Sequence, residues 1–114
     1  MTAVLVVEDD RNIARSVCLR LKANGIKAAA AYDAISATTV ARRCQPDVAI
    51  LDITMPGGDG FTVAERLRSL FPNIEIVFLT ANSHPDTRSR AQALAPKAFV
   101  NKPFAAEELL AAIA

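Results

Sequence analysis

Val48-Ala49-Ile50-Leu51-Asp52-Ile53-Thr54-Met55-Pro56-Gly57-Gly58-Asp59-Gly60 is the stretch whose reading decides the fold. Four apolar residues in succession predict a strand buried on both faces, and they stop at a carboxylate. A proline, two adjacent glycines and an Asp-Gly follow, which predict a loop rather than more sheet. A carboxylate at the end of a buried strand costs desolvation energy unless something nearby compensates it. On this stretch alone Asp52 is either a plain strand terminus or a working group.

Moving outward toward the C-terminus, Asp59 is placed to cap a helix whose buried stripe is Val63, Ala64, Leu67, Leu70 and Phe71, ended by Pro72-Asn73. Ile74 to Leu79 predicts a fourth strand closed by Thr80. Pro85 suits the first turn of a helix reaching about Leu94, with a thin stripe of Thr87, Ala91 and Leu94. Ala98 to Val100 predicts a short fifth strand. Lys102-Pro103-Phe104 leads into a last helix with Leu109, Leu110 and Ile113 inward.

Toward the N-terminus, Val4 to Val7 predicts a central strand ended by Glu8-Asp9-Asp10. Ile13, Val17 and Leu21 then recur at helical spacing until Asn24-Gly25 supplies a C-cap. Ile26 to Ala31 is a weaker second strand, and Asp33 is an N-cap for a helix to about Arg43. Strands and helices alternate five times through short links, without repeats or linkers. That order predicts an α/β fold, a doubly wound five-stranded parallel sheet with helices on both faces, in a three-layer α/β/α sandwich.

Composition narrows the function classes. The 114 residues predict one domain, with 52% apolar content, no Trp and 5% aromatics, so the core is aliphatic and alanine-rich. A net charge of +1 with 22% charged residues provides no electrostatic footprint for nucleic acid or an acidic membrane. Cys18 and Cys44 are too few and too far apart for a disulfide framework or a zinc site and read as reduced thiols. No basic leader or long apolar run is present, so the expected location is cytoplasmic.

In a sheet of this kind functional groups gather beyond the carboxyl ends of the strands. Glu8 and Asp9 follow strand one, Asp52 strand three, Thr80 strand four and Lys102 strand five. Two carboxylates about 5 Å apart repel by roughly 3 kcal/mol at an effective dielectric near 20. Three together call for a cation or a raised pKa. An all-oxygen donor set without nearby His or Cys favours a hard ion, Mg²⁺ or Mn²⁺. Lys102 as a point charge and Thr80 as a hydroxyl donor then suit phosphoryl oxygens, and Asp52 suits an aspartyl-phosphate nucleophile. Small Ala81 leaves the entrance open.

Leu5-Val6-Val7-Glu8-Asp9-Asp10, Leu51-Asp52 with Met55-Pro56 and Asp59-Gly60, Leu79-Thr80-Ala81, and Lys102-Pro103-Phe104 occur in order at separations that resemble a receiver domain of two-component response regulators. The resemblance covers nearly the whole chain and implies strand order 2-1-3-4-5. It implies Asp52 as phosphoacceptor, Asp9 as direct Mg²⁺ ligand, Glu8 acting through water and the Thr54 carbonyl completing the protein ligands. Three acids in a row leave the register open by one residue; the pairing Glu8-Asp9 leaves Asp10 to cap the first helix. Thr80 and Lys102 are implied as the phosphate-sensing pair, and Phe99 as the switch aromatic, against its plainer reading as core. Thr54 and Asn82 stand where the family tunes the lifetime of the phosphoryl group.

The implied partners are a sensor histidine kinase or histidine phosphotransfer protein, and an output domain or partner protein reached through helix 4, strand 5 and helix 5. The implied activity is that of a signalling domain, not an enzyme on other substrates. His84 reads as a polar residue at a helix start, and Arg88, Arg90 and Lys97 as solvated surface or as determinants of partner choice. Two departures stand out. Ala95-Pro96 replaces a common Gly-Ala pair and stiffens the turn into strand five. Lys97-Ala98 replaces the paired acids of regulators that dimerise through helix 4 to helix 5. The chain stops at Ala114, as expected of a receiver unit of residues 1–114 cut from a longer protein. The alternatives are a pseudo-receiver that works without phosphorylation and a haloacid-dehalogenase-type phosphatase, whose second acid is replaced here by Thr54. A flavodoxin would need a hydroxyl- and glycine-rich loop where Glu8-Asp9-Asp10 stands.

Overall fold

The computed structural model describes residues 2–55, 58–81 and 84–114. Strands β1 (Ala3–Val7), β2 (Lys27–Ala31), β3 (Val48–Asp52), β4 (Glu75–Thr80) and β5 (Ala98–Asn101) form one sheet in the order β2-β1-β3-β4-β5. Every pairing in it is parallel. Helices α1 (Arg11–Ala23), α2 (Ala34–Cys44), α3 (Gly60–Leu70), α4 (Pro85–Gln92) and α5 (Ala106–Ile113) connect and flank the strands. The doubly wound three-layer sandwich expected from the alternation is the observed architecture.

Period-two alternation divides each central strand between two cores. Leu5, Val7, Ala49, Leu51, Ile76 and Phe78 face α2, α3 and Ala91 of α4. Val4, Val6, Val48, Ile50, Val77 and Leu79 face α1 and α5. All five β3 residues are buried, which explains why that strand is a continuous apolar run ending at Asp52.

The helix starts follow from their caps. Asp10 accepts from the N–H groups of Asn12 and Ile13, Asp33 from Ser36, and Asp59 from Thr62, each satisfying amides that the helix leaves unpaired. Pro85 occupies the first turn of α4, and His84 caps it, Nδ1 accepting from the Asp86 N–H at 3.2 Å. Gly25, at φ 75°, follows the α1 C-cap Asn24 in the left-handed conformation that glycine adopts without strain.

Three expectations are corrected. The segment after Asp52 contains more pairing than a plain loop, because Thr54–Met55 and Gly58–Asp59 form a two-residue antiparallel ribbon; Pro56 and Gly57 lie outside the described residues. Leu70 is 41% exposed rather than buried, since it lies at the last residue of α3, where the stripe has passed the sheet. Helix α4 stops at Gln92, short of Leu94. Ala95 there takes φ 48°, and the Arg68 guanidinium of α3 donates to the carbonyls of Leu94 and Ala95, the latter at 3.0 Å. The stiff turn expected at Ala95-Pro96 is thus a left-handed alanine held by an arginine.

Gly60 shows how the fold brings the Asp52 loop back under the sheet edge. Its N–H donates to the Ile53 carbonyl at 2.9 Å, and a Cβ there would lie 2.5 Å from the Asp52 carbonyl oxygen and 2.9 Å from the Ile53 Cα. Both obstacles are backbone, so neither yields cheaply. Gly60→Ala should lower unfolding free energy by about 1–3 kcal/mol, the usual cost of overpacking, read as a shifted urea midpoint at unchanged slope.

Candidate functional site

The parallel register brings the strand ends to one edge. Val7 pairs with Leu51, Asp52 with Leu79, and Thr80 with Asn101, so the residues that follow each strand emerge side by side. Backbone hydrogen bonds extend the register past the strands. The Glu8 N–H donates to the Ala31 carbonyl at 3.1 Å, Ile53 to Leu79 at 3.0 Å, and Lys102 to Thr80 at 2.8 Å. The last of these ties the ammonium-bearing residue to the hydroxyl-bearing one through main chain. The Lys102–Pro103 peptide is cis.

Glu8, Asp9, Asp10, Ile13, Asp52, Thr54, Ala81 and Lys102 line one open cleft of about 510 Å³. Six of the eight residues singled out from the sequence therefore meet there. Thr80 sits beneath, fully buried one residue before Ala81. Phe99 does not reach the cleft. It pairs in register with Phe78, packs half-buried against the core on the α3 and α4 side, and lies under the Arg88 guanidinium. Asn82 lies outside the described residues.

Lys102 holds the carboxylates together. Its Nζ donates to Glu8 Oε1 and lies 3.5 Å from Asp52 Oδ2. Glu8 is fully buried, and its second oxygen accepts from the Asp10 N–H at 3.2 Å. Asp52 is 4% exposed, and its Oδ1 accepts from the Thr54 N–H at 3.3 Å. Among the described residues, no buried side-chain nitrogen or oxygen lacks a partner.

Burial pushes the Glu8 carboxyl up to about 7, against the lowering effect of the Lys102 hydrogen bond. Asp52 is raised as well, chiefly by burial. Asp9 moves the other way: burial acts to raise it, but hydrogen bonding with Glu8 and Asp52 and the Lys102 charge together prevail and lower it. At Lys102 burial acts to lower the ammonium pKa, and the bond to Glu8 together with the Asp52 charge outweighs it, leaving it raised. Protons and one ammonium thus carry the charge balance of three clustered acids.

One carboxylate oxygen from each of Glu8, Asp9 and Asp52 lies within 4.8 Å of the others. The donors are all hard oxygens, one acid is exposed to solvent, and the cleft is open, which fits a divalent ion of the Mg²⁺ class that keeps part of its water shell. Asp52 is anchored through one oxygen and faces an ammonium through the other, a geometry in which negative charge added at that oxygen would be met at once.

Sequence reasoning found the acids and the lysine. It missed Gly60, whose signal was the Asp-Gly at a helix start, and the Thr54 N–H, which no side-chain pattern reports. Arg88, Arg90 and Lys97, read as solvated surface or as determinants of partner choice, are exposed; the first two also lie over aromatic rings, and the third pairs with Glu75 at 3.0 Å.

The family profile described as response regulator receiver domain matches residues 4–114. The response regulator MprA of Mycobacterium leprae is 36% identical over 110 residues, covering 96% of this chain and 48% of that protein. A probable transcriptional regulatory protein, TcrX of Mycobacterium tuberculosis, is 36% identical over 107 residues, covering 94% of this chain and 46% of that one. The chain thus spans about half the length of the curated relatives it matches. Among solved structures, the chemotaxis protein CheY4 of Vibrio cholerae superposes with a TM-score of 0.92 at 29% identity, over 99% of this chain and 96% of that one. The non-phosphorylated HemR receiver domain of Leptospira biflexa does so at 0.90 and 28%, over 99% and 91%.

Because the Glu8 carboxyl titrates higher in the fold than its ordinary 4.5, the folded state holds that proton more tightly. Its stabilising contribution is complete below about 4.5 and is lost as pH rises through about 7. In chelator-treated buffer the unfolding free energy should therefore fall by about 1–3 kcal/mol from pH 5 to pH 8. Glu8→Gln, which has no proton to lose, should flatten that decline in urea titrations at the two pH values.

Proposed function

Since the chain belongs to the response regulator receiver domain family, we propose that it takes a phosphoryl group on Asp52 and converts it into a change of the surface formed by α4, β5 and α5. The observation that carries this reading is the buried Asp52 carboxylate facing Lys102 in a cleft with two further acids.

Asp52 is the nucleophile. The Thr54 N–H fixes one oxygen, which leaves the other to form the new O–P bond as the donor's bond to phosphorus breaks. Lys102, within 3.5 Å of that oxygen, receives a phosphoryl oxygen and in doing so exchanges Glu8 for the new anion. Asp9 and Asp52, the Thr54 carbonyl, and Glu8 through water would hold Mg²⁺ or Mn²⁺. Such an ion supplies, when bound, the positive charge that offsets the transferred group. Thr80 offers its hydroxyl to the phosphoryl group, and Phe99 follows its movement. Ala81, small and exposed at the cleft, keeps the entrance open to the donor.

The donor is a sensor histidine kinase or a histidine phosphotransfer protein, and the recipient of the signal an output domain or partner protein. Residues 1–114 work as one receiver unit in the cytoplasm; no helix among the described residues is long and apolar enough to cross a membrane. The domain catalyses its own phosphorylation and dephosphorylation and acts on no other substrate. A phosphatase of the haloacid-dehalogenase type is disfavoured because exposed Thr54 offers no carboxylate to protonate a leaving group. A phosphorylation-independent pseudo-receiver would have no use for Glu8, Asp52 and Lys102 clustered at the cost of burial.

Incubation with acetyl phosphate and Mg²⁺ should add one phosphoryl mass, labile to hydroxylamine, and Asp52→Asn should abolish it; an adduct persisting in that variant overturns the assignment. Mg²⁺ affinity should drop at least tenfold in Asp9→Ala by isothermal titration, through loss of a ligand and its charge. It should change little in Asp10→Ala, because Asp10 is spent on capping α1. The reverse order would shift the metal pair to Asp9 and Asp10.

A further inference from the structure

Helix α4 is held to the body in an unusual way. Of its described side chains only Ala91 is buried, so an apolar stripe contributes little to its seating. Two arginines take over that role. The Arg90 guanidinium lies 4.6 Å from the Phe61 ring centroid and 3.7 Å from Asp59 Oδ2. The Arg88 guanidinium lies 4.7 Å from the Phe99 ring centroid. Stacking of this kind is directional and local, and it is lost when the ring turns away.

The two rings differ in what fixes them. Phe61 is buried and meets Phe78 edge-on, with centroids 5.5 Å apart at 62°, inside the core. Phe99 is half-buried on β5, which stands at the edge of the sheet among the described residues. Arg90 therefore grips a ring that cannot move without opening the core, whereas Arg88 grips one that can. Phe99 is also two residues from Asn101, which pairs with Thr80, and Lys102 donates to the Thr80 carbonyl at 2.8 Å. A shift of the Thr80 segment is thereby transmitted along β5 to the ring under Arg88.

We propose that Arg88 is a positioning residue of the switch, a latch that holds Phe99 and the adjoining part of α4 in the resting arrangement, while Arg90 acts as the pivot about which α4 reseats. The proposal rests on the phosphoacceptor reading of Asp52 and adds to it the energetic gate. Phosphorylation must supply enough differential contact free energy to unstack Arg88 from Phe99, so the strength of that contact sets how much of the population responds.

The test is an NMR titration with beryllofluoride, an acyl-phosphate mimic, in the presence of Mg²⁺, on the intact chain and its variants. Arg88→Ala should tighten the apparent affinity by about two- to fivefold, the equilibrium equivalent of one exposed cation–π contact. Arg88→Lys, which keeps the charge without the planar stack, should fall between. The direction is diagnostic, because removing a positive charge from the protein would by itself weaken the binding of an anion. In a Phe99→Leu background, Arg88→Ala should have no effect, whereas Arg90→Ala should loosen α4 without tightening beryllofluoride.

Amide exchange supplies an independent arm. In the free protein Arg88→Ala should speed exchange across residues 85–92, again only when Phe99 is present. Unchanged affinity and exchange in Arg88→Ala, or equal gains in the Phe99→Leu background, overturn the latch. If the wild-type chain ignores beryllofluoride, the phosphoacceptor reading fails instead, and the exchange arm still decides whether Arg88 holds the helix through Phe99.

Discussion

Everything at the carboxyl edge of the sheet depends on one ammonium placed between buried acids. Lys102 donates to Glu8 and faces Asp52, and both acids are almost wholly removed from water. An isolated carboxylate in that position would be expelled or neutralised. The parallel register makes the cluster unavoidable, because three strands end within one residue of the same line. The chain answers with a lysine from the far strand, a raised Glu8 carboxyl and two backbone amides. The cluster is stable enough to fold yet starved of positive charge, which disposes it to take up a cation.

That starvation also explains the division of labour among the acids. Glu8 is fully buried with both oxygens occupied, by Lys102 and by the Asp10 N–H, so it serves as counter-charge and support. Asp9 is exposed where it lines the open cleft, so of Glu8, Asp9 and Asp52 it is the acid that solvent reaches. Asp10 is drawn away to α1, where Asn12 and Ile13 amides claim its side chain. Adjacent residues of nearly the same chemistry acquire three roles from burial and from the start of one helix.

The legibility of the chain follows the same physical lines. Strand alternation, the aspartate caps at Asp10, Asp33 and Asp59, and Gly25 at the end of α1 are local effects, and each could be read directly. So could Glu8, Asp9, Asp52 and Lys102, because a charged residue closing a buried strand has few places to go. What escaped depended on partners distant in the chain. Leu70 fits a helical stripe but lies beyond the surface that would cover it. The turn after α4 is met by Arg68, an arginine from another helix that donates to the carbonyls of Leu94 and Ala95. Gly60 is required by the Asp52 carbonyl, a backbone atom that no side-chain pattern announces. Arg88 and Arg90 are exposed as read, but the rings of Phe99 and Phe61 that lie beneath them come from other elements of the chain.

A helix that commits a single described side chain, Ala91, to the interior is nearly exempt from the demands of folding. Most substitutions on α4 leave the two hydrophobic cores and the acid cleft untouched, so they carry little penalty in stability. Selection can therefore rewrite this face while the sheet, its two cores and the acid cleft are inherited intact. In evolutionary terms the chain separates a tightly constrained body from an interchangeable face. Duplicated copies could diverge into insulated pathways by drift on one short, loosely held helix.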